Sequence, residues 1–200
     1  MQIIPRIVDF TEAVVHGSTH LFSLLEQTLK EGALRSAVVA SNVTAGKVVV
    51  ATQLCCSACH TWHLHKSIQK GDRMKQVVDL TGILFGGLLV TSLLAPSRRV
   101  SQLWQIGYVA HHGSLALYHG HKRETLVDKH QTGSDKHHTG SQRHNYLMWG
   151  CLLDCIGHSL EFWVVGELAI TDCIGLAGHC LLIRAFFLEG HDPDSCGCCG

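Results

Sequence analysis

Asp154, His158, Glu161, Asp172 and His179 follow one another at intervals of 4, 3, 11 and 7 residues. At about 100° per residue, those intervals place all five side chains within roughly 60° of one another on a continuous helix. Carboxylates and imidazoles supply the oxygen and nitrogen donors that hold a divalent metal, and the same groups relay protons. Cys151, Cys155, Cys173 and Cys180 border the stripe, and Glu167 falls off it. Two other arrangements fit the spacing. One is an amphipathic helix, or two, turning its polar side to water or to a neighbouring helix. The other is an oligomer seam in which His and Asp pair. A break near Gly166-Glu167 would divide the stripe between two antiparallel helices, and its common phase would then mean nothing.

A second set of reactive types sits in Cys55–His65, CCSACHTWHLH. Cys56, Cys59 and His60 match the C-x-x-C-H pattern of covalent haem attachment, in which two thiols hold the vinyl groups and the histidine is an axial ligand. Haem is disfavoured, because the chain shows no export signal and no distal ligand announces itself downstream. Cys56 and Cys59 with His63 or His65 also suit zinc. A structural zinc site joins two separated ligand pairs, and the second pair would have to come from Cys196, Cys198 and Cys199. Membrane-proximal thiols, some of them acylated, are the plainer expectation.

Composition restricts the partners. Lys+Arg and Asp+Glu are both 16, so the formal charge is zero, and the basic excess that nucleic-acid binding needs is missing. Charged residues make up 16% of the chain, below the usual quarter. Most cysteines lie in apolar runs, where the thiol behaves as a small hydrophobe, and reduced thiols facing a cytosol are expected. The N-terminus lacks a basic region followed by a long apolar stretch, so no cleavable signal peptide is expected. No G-x-S-x-G, Walker loop, dinucleotide fingerprint or H-E-x-x-H occurs, and the chain is read as non-enzymatic.

Helices must carry these groups. Residues 5–30 repeat Ile7, Phe10, Val14, Leu21, Leu25 and Leu29 at helical spacing. Residues 33–62 suit one helix interrupted near Gly46, and 66–76 form a basic connector closing an N-terminal region of residues 1–76. Val77–Ala95 is long and apolar enough to cross a bilayer, with Asp79 at the interface. Gly82 and Gly86 form a G-x-x-x-G that lets a second helix pack closely. After the turn at 96–99, Val100–Tyr118 is the return arm of a hairpin over 77–118. Residues 119–145 are rich in histidine, turn residues and charge, and are expected as an exposed loop. Residues 146–189 form a second apolar hairpin, and 190–200 a flexible Cys-rich tail. The hairpin's flanks (Lys66, Lys70, Arg73, Lys75, Lys122, Arg123) carry more positive charge than its turn (Arg98, Arg99), which places them in the cytosol.

Two hydrophobic lobes joined by APSRR at 95–99 resemble the bilobed hydrophobic domain of chlamydial inclusion membrane proteins. The resemblance covers about a fifth of the chain and is one of topology. It implies insertion into a host-derived vacuole membrane, with soluble segments facing host cytosol and recruiting host proteins.

The sequence thus predicts an all-α membrane protein with two hydrophobic hairpins, in contact with lipid and able to self-associate. The first functional expectation is a scaffold or recruitment factor using the N-terminal helices and the polar loop. The alternative is a small metal-ion or proton-handling membrane protein using the stripe of 154–179. The modest mean hydropathy of the whole chain also admits a soluble helical bundle rich in Cys and His. Alkaline carbonate extraction separates these: a spanning protein stays in the pellet until detergent releases it, and a soluble bundle washes into the supernatant.

Overall fold

A computed structural model describes residues 3–95, 97–130, 135–163 and 169–188; the side chains of 3–6, 9, 128–130, 135–139, 162 and 163 fall outside the description. Every described element is a helix: α1 (Ile3–Thr28), α2 (Ala33–Lys70), α3 (Arg73–Leu94), α4 (Arg98–His130), α5 (Asp135–Trp163) and α6 (Ala169–Phe186). Each packs on its neighbours in the chain, and α1 also packs on α6, so the six close into a ring. Links of two to five residues between packed helices leave only antiparallel neighbours.

Local chemistry fixes the turns. Gly71 ends α2 in the left-handed conformation, φ 70°, with its N–H on the Ile68 carbonyl while the Asp72 N–H reaches Ser67. Asp72 then caps α3, its carboxylate accepting from the Lys75 N–H at 3.0 Å. The expected connector over 66–76 is therefore mostly helix, with a two-residue turn. The interruption expected near Gly46 is absent, and α2 is continuous through it. A mid-helix glycine costs about 1 kcal/mol against alanine, which a packed helix of this length absorbs.

The residues lining the ring reverse the usual distribution. On α1 the buried side is Glu12, His16 and His20, while Ile7 is 58% exposed and Leu21 44%. On α3, Asp79, Gly82, Phe85 and Gly86 face in, and Val77, Leu80, Leu84 and Leu93 face out. On α4, Tyr108, His111, His112 and His119 are buried, and Leu103, Ile106 and Leu117 are exposed. An apolar cluster formed by Ala13, Val78, Leu115, Ala116, Leu147, Cys151, Leu182 and neighbouring side chains fills one part of the interior. The rest is polar. α2, α3 and α6 are long and apolar enough to cross a membrane; among the described residues the other three helices are not.

The histidine-rich stretch expected as an exposed loop is helical over 119–130 and 135–145, and His119, Arg143 and His144 are buried. Its polarity misleads because the interior itself is polar. The tail, Pro96 and the break expected at 166–167 lie outside the described residues.

Small residues set the helix spacing. A side chain on Gly82 would run into the His60 ring, and one on Gly86 into Ser57, so the G-x-x-x-G of α3 lies against α2. Between α5 and α6 the limit is backbone: a Cβ on Gly178 would stand 2.9 Å from the Gly150 carbonyl oxygen and 3.1 Å from the Asp154 nitrogen. Gly178→Ala should therefore force the helices apart and destabilise the fold by about 1–3 kcal/mol. Gly46→Ala, with nothing within 4 Å, should stabilise it by about 0.4–1 kcal/mol. Thermal unfolding followed by circular dichroism in detergent reads both.

Candidate metal centre

Three helices carry acids and imidazoles at intervals of one or two turns into the same part of the interior. α1 contributes Glu12, His16 and His20, four residues apart; α5 contributes Asp154, His158 and Glu161; α6 contributes Asp172 and His179. Side chains at i and i+4 share a helix face, so each helix presents a short ladder to the other two. Glycines make room for it. A Cβ on Gly175 would stand 2.5 Å from His20 Nε2, and one on Gly17 3.0 Å from His179 Cβ.

Asp154 is fully buried and takes contacts from three helices. The Tyr108 hydroxyl donates to its Oδ2, and His112 Nδ1 approaches the same oxygen at 3.1 Å. Its Oδ1 lies 3.6 Å from His179 Nδ1 and 3.8 Å from His158 Nε2, too far to hydrogen-bond. Tyr108 also ties α4 to α1, since its hydroxyl is 3.2 Å from His16 Nδ1, which is in turn 3.3 Å from Glu12.

The three remaining imidazoles share one pattern. A carboxylate or carbonyl can only accept, so His20 donates from Nδ1 to Asp172 at 3.0 Å, His158 to Glu161 at 3.0 Å and His179 to the Gly175 carbonyl at 2.9 Å. Asp172 is itself held by Ser23 at 2.8 Å and Gln27 at 3.1 Å, and it sits in the first turn of α6, where the helix dipole favours an anion. Each ring therefore turns Nε2 into the interior with its lone pair available. The Nε2 atoms of His20, His158 and His179 and the Oδ1 of Asp154 are buried and make no hydrogen bond. Buried polar atoms are normally satisfied, and this group of orphans, to which His112 Nδ1 beside Asp154 also belongs, calls for a shared partner. An imidazole oriented through Nδ1 by a carboxylate or carbonyl is the arrangement of metal-binding histidines.

The donor atoms gather in four sets, each within 4.8 Å: His16, His20 and His158; Glu12, His16 and His179; His20, Asp154 and His179; and His20, Glu161 and Asp172. Donors on one zinc ion lie at about 2.0–2.2 Å from it, hence about 4 Å apart at most, so modest side-chain movement completes any one set. Nitrogen with carboxylate oxygen suits zinc and its first-row neighbours. The clusters of buried His, Asp and Glu are consistent with such an ion.

Of the residues singled out in the sequence, Asp154, His158, Glu161, Asp172 and His179 belong to these sets. Cys56, Cys59 and His63 follow one side of α2 and belong to none among the described residues. His60, the axial ligand in the haem pattern, is buried with Nδ1 3.0 Å from Asp79. That carboxylate also accepts from Lys75 at 2.9 Å and Ser67 at 3.1 Å, locking α2 to α3. Sequence reasoning passed over Glu12, His16, His20 and Tyr108. The E-x-x-x-H-x-x-x-H spacing of α1 was the signal available.

In comparisons with protein-family models, curated proteins and solved structures, nothing matches this chain, so the centre is read from its own geometry. Tyr108→Phe removes the one hydroxyl joining Asp154 to His16. It should cost about 1–3 kcal/mol of stability without loss of helix content, as read by thermal unfolding and far-ultraviolet dichroism.

Proposed function

We propose that this chain is a small helical membrane protein that binds a divalent transition-metal ion of the zinc class inside its ring. The observation that carries the reading is the set of orphaned donors on three helices, the Nε2 atoms of His20, His158 and His179 with Asp154 Oδ1. His20, Asp154 and His179 supply the core of the coordination, and His158, beside Asp154, the fourth donor. Asp172, Glu161 and the Gly175 carbonyl orient the rings from behind.

The membrane part rests on distribution. Apolar side chains point outward on α1, α3 and α4, and three helices have spanning length and hydrophobicity. Contiguous apolar surface of that kind is unusual on a protein in water, and ionisable groups in a bilayer turn to the bundle interior. The packing of α3 on α4 and of α5 on α6 supports the two hairpins expected from the sequence. Of the functions expected from the sequence, metal handling draws most support from this geometry. The scaffold role counted on residues 119–145 as a contact surface, and several of those side chains are built into the ring.

Purified in detergent and dialysed against zinc, the protein should carry bound metal by elemental analysis, and zinc at about 100 times its Kd should stabilise it by about 2.7 kcal/mol. Replacing Asp154 and His158 together with alanine should abolish binding. Asp172→Asn, which weakens the support behind His20, should cost about 10–100-fold in affinity. Unchanged binding in a folded Asp154/His158 double variant would sink the proposal.

A further inference from the structure

The four ligand sets are too extended to serve one ion at one place. Glu12 and His20 are two turns apart on α1, about 12 Å along its axis, and Asp154 and Glu161 are about 10 Å apart on α5. A metal with bonds of about 2.0–2.2 Å can engage one set at a time. Successive sets nevertheless share a member. His20 belongs to the outermost set, with Glu161 and Asp172, and also to the sets holding Asp154 and His158. Resting on the metal-binding reading, we infer that the ladder is a loading track: the ion is captured at Glu161 and Asp172, is handed on by His20, and comes to rest against Asp154.

Exposure gives the track its direction. The Glu161 side chain is 28% exposed, while those of Asp154 and His179 are fully buried. A carboxylate at the surface attracts a hydrated cation, and the shared imidazole keeps it coordinated while it sheds water and exchanges the outer carboxylates for inner donors. His20 suits this exchange because its Nδ1 faces Asp172 while its Nε2 makes no hydrogen bond.

The innermost set, Glu12, His16 and His179, is buried throughout, so the described residues leave the track one partly exposed end, at Glu161.

Stopped-flow absorption with cobalt(II) on the full chain in detergent tests this. The expected trace has a fast phase whose rate rises with cobalt concentration, then a slower phase independent of it as the ion moves inward and the visible bands intensify. Glu161→Gln preserves an oxygen acceptor for His158 but removes the surface charge, and should slow the first phase about tenfold. Glu124→Gln, an exposed acid elsewhere on α4, should leave that rate at the wild-type value. A single concentration-dependent phase, or a Glu161→Gln variant that loads at the wild-type rate and only releases faster, overturns the track and leaves the metal site standing. Failure of the wild-type protein to bind cobalt or zinc removes both.

Discussion

A carboxylate with no access to water is the constraint around which the ring is organised. Transferring such a charge out of water costs several kcal/mol even after the protein relaxes, and the cost must be met by groups that are themselves fixed in place. Asp154 meets part of it with Tyr108 and His112 from α4, and the imidazoles of His158 and His179 stand close to its other oxygen without hydrogen-bonding to it. Tyr108 extends the contact to His16, and His16 to Glu12, so the charge on α5 is coupled to helices at both ends of the chain. The same principle recurs on a smaller scale at Asp79, where His60, Ser67 and Lys75 converge. The difference between the two sites lies in what remains unpaired. Asp79 holds a cation of the chain's own, while Asp154 keeps one oxygen without a hydrogen bond.

The polar interior also explains the rest of the packing. Histidine and acidic side chains cannot interdigitate with the freedom of leucines, so their hydrogen-bond directions dictate where the helices stand. Glycines then permit the approach: Gly175 beside His20, Gly82 beside His60, and Gly150 against Gly178. With the interior given over to polar groups, many of the large aliphatic side chains are left for the outer surface. An exterior of that kind is consistent with contact with lipid, and the chain's low charge content accords with the same division.

Much of this was legible in the sequence and some of it was inverted. The helical class, the apolar stretch at 77–95 and the polar stripe of 154–179 came from periodicity, and periodicity survives folding. A break near Gly166-Glu167 was expected to empty the stripe's common phase of meaning; that stretch lies outside the described residues, and α5 and α6 on either side of it each turn their own polar side to the axis, so the groups meet. The apolar repeat of α1 identified two faces correctly, but a period cannot say which face is inside. Residues 119–145 failed for a related reason. Polarity predicts exposure only where water is the preferred surroundings of polar groups, and here His119, Arg143 and His144 find partners within the ring.

The closure of α1 against α6 has a consequence for how the protein is made. His20 and Asp172 are separated by 152 residues, so α1 carries a polar face whose partners are made long after it. Until α6 arrives, Glu12, His16 and His20 must remain hydrated or be screened by something else. Contacts of such long sequence separation form late, because the chain must close its longest loop before they are rewarded. Docking of α6 against α1 closes the wall of the ring and brings together the polar groups of both helices.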